Sequence, residues 1–170
     1  AVDLSVLPLA TVNGAFFVQD FFHWSAGTTG FAMSITGVAY AASSLVLVAP
    51  TVHYLGEFVT YLLSCVLFGT SALMDGLLET PTWQWAMMVA QNLFGAFKEP
   101  CILVMVADAF PVKHLGTLMG LFAGFKYLGI GIGAMCGAIM YEHSIYYHFF
   151  VEAIAELVCG VAAYCTRVVW

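Results

Sequence analysis

The stretch "DAFPVKHLGTLMGLFAGFKYLGIGIGAMCGAI", Asp108 to Ile139, decides how this chain is read. An acid, Phe110 and the helix breaker Pro111 close one apolar run. A short link with Lys113 and His114 follows, and from Gly116 onward the chain is apolar and rich in glycine. Gly116, Gly120 and Gly124 are spaced by four, and so are Gly129, Gly133 and Gly137. At about 100° per residue the two sets fall on nearly opposite faces of a helix. Small residues at this spacing let backbones approach closely in lipid. The spacing therefore predicts a helix packed on two sides, in the interior of a bundle. A hinge or sliding surface is the competing reading of the same glycines.

Outward from this stretch the chain keeps one character. Of its 170 residues 62% are hydrophobic and 8% charged, against about 45–50% and about 25% in soluble domains. So much apolar surface has no cover in water, so the chain reads as an integral, multi-pass membrane protein. A helical crossing needs about 20 apolar residues. Six runs qualify: Leu4 to Phe22, Thr29 to Ala49, Glu57 to Leu78, Trp83 to Phe110, His114 to Tyr141 and Ile145 to Val168. Prolines punctuate them, with stops expected at Pro50, before Pro81 and at Pro111. The fold class is all-α: a single membrane domain, residues 1–170, built as a six-helix bundle whose short links make neighbours antiparallel. The runs lack the alternation of barrel strands. Trp24, Trp83, Trp85, Tyr54, Tyr141, Tyr146 and Tyr147 fall at span ends, as an aromatic belt does. Lys113 and Arg167 share one side, which places both termini on the cytoplasmic, matrix or stromal side. An organelle inner membrane and a thylakoid membrane are candidate settings.

Charge inside the spans marks the candidate site. A lysine at bilayer centre costs about 2.5–3.5 kcal/mol and needs a partner or a wet cavity. Lys126 falls near the middle of the fifth span, on the face of Gly129, Gly133 and Gly137. Glu152 and Glu156 lie one turn apart in the sixth span, and one of them is expected to meet Lys126. In the fourth span Gln91, Gly95 and Lys98 share a face, Asn92 follows Gln91, and Glu99 stands next to Lys98. Pro100 has no N–H, so the carbonyl of Ala96 loses its helical donor and a kinked interior helix is expected. A solute site and a structural ion pair are both open readings of these charges.

Other chemistries find little support. Cys65, Cys101, Cys136, Cys159 and Cys165 lie in apolar runs without metal-ligand spacing. No basic patch fits nucleic acid. No metalloprotease, serine-hydrolase or phosphate-loop pattern occurs, so an enzyme is not expected. No motif calls for a cofactor or metal; bound lipid is expected. His143 and His148, five apart in a link, are the one pair that suits a metal or a tetrapyrrole pigment.

The junction from Asp108 through Phe110, Pro111, Lys113, Gly116 and Thr117 to Gly120 resembles the tenth-to-eleventh helix junction of the major facilitator superfamily. There an acid and "FP" end one helix and "G-T-x-x-G" opens the next. Six short-linked spans resemble that family's C-terminal half. The resemblance implies halves built from inverted three-helix repeats, two halves rocking about a central site, and a solute such as an amino acid or a similar small polar molecule. One departure stands out. Where the family carries a basic loop, "PTVHYLGEFV" has Gly56 and Glu57 but no Lys or Arg. This departure and the half length favour a transporter-derived accessory subunit, packed against other membrane subunits of a respiratory or photosynthetic type of complex. The alternative is half of a working transporter, paired with a second half.

Overall fold

The structure is a computed structural model that describes residues 7–77, 80–144 and 146–169. It is all-helical among the described residues: α1 (Leu7–Phe22), α2 (Ala26–Ala42), a π-helical turn (Ser43–Leu47), α3 (Val48–Leu55), α4 (Glu57–Leu77), α5 (Pro81–Gly95), α6 (Lys98–Ala109), α7 (Val112–His143) and α8 (Tyr147–Val169). Five continuous stretches, Ala26–Leu55, Glu57–Leu77, Pro81–Ala109, Lys113–His143 and Tyr147–Cys165, are long and apolar enough to cross a membrane. With α1 they make six rods, one for each apolar run. The expected limits at Leu4, Leu78 and Ile145 lie outside the described residues.

Local chemistry sets the helix ends. α1 closes with the Trp24 amide on the Val18 carbonyl at 3.2 Å, and His23 takes the left-handed conformation that such a closure requires. Ser25 caps α2 by accepting from the Thr28 amide at 3.1 Å. Gly56, at φ +77°, makes the turn between α3 and α4 that a side chain would strain. Pro81 sits in the first turn of α5, where its missing N–H costs nothing.

The second span does not stop at Pro50. The helix runs on through that proline to Leu55. The reason lies just upstream, where Ser43–Leu47 widens into a π turn and the Val48 amide reaches back to the Ser43 carbonyl. One extra residue in the turn shifts the backbone that the proline ring would otherwise strike.

The interior is organised around α4, which packs most extensively on α8 and also on α5 and α6. Its buried side mixes small and polar residues, Thr60, Ser64, Gly69, Ser71, Ala72, Asp75 and Gly76, with Tyr61, Cys65 and Phe68. A Cβ at Gly76 would lie 3.0 Å from Phe149 Cβ, and one at Gly69 3.3 Å from the Ala153 carbonyl oxygen. A Cβ at Gly160 of α8 would lie 3.3 Å from Cys65 Cβ. The tight seam of this bundle is therefore α4 against α8.

The expectation that the fifth span is interior is overturned. α7 touches mainly α1, with α8 and α6 as lesser neighbours. It exposes Leu121, Phe125, Tyr127, Leu128, Ile132, Met135 and Ile139. Of its two glycine faces, Gly129 and Gly137 are buried and Gly133 partly so, while a Cβ at Gly116, Gly120 or Gly124 meets nothing within 4 Å. Glycine spacing permits close approach but does not choose the neighbour. The central position went to the helix whose small residues alternate with polar ones that need partners.

Candidate functional site

The charges of the interior gather where α4, α5, α6 and α8 meet. Lys98, Asp75, Glu152, Glu156, Gln84 and Gln91 are all buried. Lys98 is carried there by a break in the fourth span. Ala96 and Phe97 leave the α-helix, the Phe97 amide turns to the Phe94 carbonyl at 3.3 Å, and α6 restarts at Lys98 with Pro100 in its first turn. Ser43, from the π turn, donates to the Leu93 carbonyl at 2.9 Å. The π turn thus supplies a donor for the carbonyl that the break leaves without its helical N–H.

Lys98 and Glu99 begin the same turn but serve different surroundings. Lys98 points inward, 4.0 Å over the Phe68 ring, and its ammonium donates to Glu156 Oε1 at 2.5 Å. Glu99 points about 100° away and accepts from Lys126 of α7 at 2.8 Å. This second pair is open, with side-chain exposures of 28% for Lys126 and 39% for Glu99. The phenol of Tyr40 on α2 lies in the field of Glu99, Lys126 and Lys98. Lys126 was expected to meet Glu152 or Glu156; it meets Glu99 instead. Nearness in sequence pointed to α8, but packing sets α4 against α8 and α6 against α4, and Lys98 reaches Glu156 with its side chain.

The rest of the buried cluster has unequal partners. Gln91 donates to Asp75 Oδ2 at 3.0 Å, while Asp75 Oδ1 and Gln84 Oε1 have no hydrogen-bond partner among the described residues. Asn92 donates to its own helix, at the Met88 carbonyl, 2.9 Å away. Neither carboxyl oxygen of Glu152 has a hydrogen-bond partner among the described residues. His143 is exposed, with Nδ1 3.1 Å from the Ile139 carbonyl. His148 is buried among Phe17, Phe149 and Tyr141, so the two histidines face different surroundings. Among the described residues no three His, Cys, Asp or Glu side chains gather as a metal site would.

Sequence reasoning passed over Asp75, Gln84 and Tyr40. Asp75 had a signal: an acid at the foot of a stripe of small residues in an apolar span. Asp20, which accepts from the Tyr141 hydroxyl at 2.7 Å across 121 residues, had none.

The family sequence model for the Major Facilitator Superfamily matches residues 4–169. The chain belongs to the major facilitator superfamily. No solved structure matches it. As a superfamily member with five described spans of crossing length, it is a transporter-derived, multi-pass membrane protein.

Proposed function

We propose that this superfamily chain acts as half of a solute transporter, with the Lys126–Glu99 pair lining a wet cleft shared with a second six-helix unit. The observation that carries this reading is the pair's partial exposure, with Lys126 at mid-length of α7 and Glu99 well inside the Pro81–Ala109 stretch. Lys126 is 14 residues from the start of α7, roughly 21 Å along a helix of about 46 Å. At that depth an ion pair open on one side does not suit lipid. A cleft with Tyr40 on its wall suits it, and a small polar solute would exchange its own charged or hydrogen-bonding groups for one arm of the pair. The open face of Gly116, Gly120 and Gly124 on α7 is where a second unit would approach, and lipid would cover the remaining apolar surface. Lys113 is exposed, which supports a cytoplasmic, matrix or stromal setting for the α6–α7 link.

One observation favours the accessory-subunit reading. The turn at Gly56 and Glu57 carries no basic residue, where the superfamily carries a basic loop. Solute counterflow in vesicles reconstituted with the intact membrane assembly separates the two. A working half predicts counterflow that Lys126→Met and Glu99→Gln abolish while the assembly stays intact. No counterflow, together with variants that loosen the assembly, would establish the structural role instead.

A further inference from the structure

Asp75 Oδ1, Gln84 Oε1 and both carboxyl oxygens of Glu152 are buried and have no hydrogen-bond partner among the described residues. They belong to one groove. The close approaches of Gly76 to Phe149, Gly69 to Glu156 and Gly160 to Cys65 share a single antiparallel register of α4 on α8. That register sets Glu152 across from Leu73, about 3 Å along the axis from Asp75. Phe68 and Asp75, two turns apart, share one face of α4. Lys98 spans Phe68 and Glu156 at one end of the groove. Glu152, one turn from Glu156, lines the next stretch in the field of Asp75. The buried face of α5 adds Gln91, which donates to Asp75 Oδ2, and Gln84 two turns before it.

The chemistry of the groove selects its guest. All four oxygens are acceptors, so the guest brings positive charge or donors. Three carboxyls, of Asp75, Glu152 and Glu156, share the ammonium of Lys98, and a buried carboxylate without a counter-charge is very costly. A proton on Glu152 would settle its charge but leave Asp75 Oδ1 and Gln84 Oε1 as they are. His148, one turn before Glu152, packs among the rings of Phe17, Tyr141 and Phe149. No void the size of a water molecule adjoins the four oxygens. A bare sodium or lithium ion is smaller than water, whereas a potassium ion matches it in size. Among the described residues no three His, Cys, Asp or Glu side chains gather, so a divalent ion has no cage. We propose that Asp75, Glu152 and Gln84 form a buried site for one small monovalent metal cation of the class of sodium. The two carboxylates supply charge and Gln84 an amide oxygen, while Lys98 stays on Glu156. Gln91 orients Asp75 by holding Oδ2, which leaves Oδ1 for the ion. Carboxyls kept inside a membrane span mark ion paths in membrane proteins generally. The site does not rest on the transporter reading, which decides only whether the bound ion also moves.

Equilibrium binding of radioactive sodium to the purified membrane assembly in nanodiscs, at neutral pH and constant ionic strength, tests the site. Saturable binding of one ion per chain is expected, displaced by lithium and only weakly by potassium or choline. Loss of a ligand should weaken binding at least as much as loss of an outer-shell partner does, about 10–100-fold. Glu152→Gln and Asp75→Asn should each show that loss. Asp108→Asn, which removes an exposed acid at the end of α6, should leave binding unchanged. Circular dichroism checks that each variant is folded. Absence of saturable binding, displacement by choline as effective as by lithium, or full binding in a folded Glu152→Gln chain overturns the proposal. If Glu152→Gln does not fold, Asp75→Asn decides in its place, and the order of displacing ions decides on the native chain alone. Sodium binding without solute counterflow retains the site and rejects the transporter reading.

Discussion

Gly76→Ala and Gly120→Ala add the same methyl group to two long helices and should have different outcomes. At Gly76 the new Cβ would sit 3.0 Å from Phe149 Cβ. Carbon atoms in contact rest about 3.5–4.0 Å apart, so α4 and α8 would have to separate by about 0.5–1 Å. The atom in the way is a Cβ, fixed to the α8 backbone, and it cannot swing aside. Overpacking of this kind costs about 1–3 kcal/mol. Alanine also gains about 1 kcal/mol over glycine in a helix interior. That gain is common to both variants and cancels in the comparison, because at Gly120 the new Cβ meets nothing within 4 Å. Gly76→Ala should therefore be about 1–3 kcal/mol less stable than Gly120→Ala. The assay is unfolding of the purified chain in mixed micelles, followed by helical circular dichroism across an SDS titration. Equal midpoints, or a lower one for Gly120→Ala, would refute the assignment of the tight seam to α4 and α8.

Lys98→Met should cost about 3–5 kcal/mol by leaving Glu156 buried without its cation, and adding Glu156→Leu should recover most of it; a double-mutant cycle in the same titration measures the coupling. Ser43→Ala removes the donor to the Leu93 carbonyl and should lower stability by about 1 kcal/mol, with faster amide exchange expected around Phe97. Tyr141→Phe deletes an exposed bond to Asp20 and should change the midpoint by less than about 1 kcal/mol.

The number of rods, their α character and the break before Pro100 were legible because each depends on residues close in sequence. Apolar run length fixes a crossing, and a missing N–H acts within one turn. Which charges pair was not legible. Lys98 and Glu156 are 58 residues apart, and no periodicity within one helix says which helix lies alongside. The faces of α7 show the same limit: the spacing from Gly116 to Gly124 and from Gly129 to Gly137 is equal, yet the second set is the more buried. Pro50 failed as a stop because the residue that accommodates it is supplied upstream, in a π turn that leaves no compositional mark.

The 58-residue gap between Lys98 and Glu156 also has a meaning in time. At about 5–20 residues per second, α8 emerges roughly 3–12 s after Lys98 has been made. Through that interval α6 holds an ammonium at membrane depth before its carboxylate exists. The fourth span therefore cannot settle in its final place on arrival. It must wait beside the insertion machinery, or with its lysine stretched toward a headgroup, until the last helix is delivered. Truncation within α8 should leave a nascent chain that quality control removes, even though every earlier span is complete.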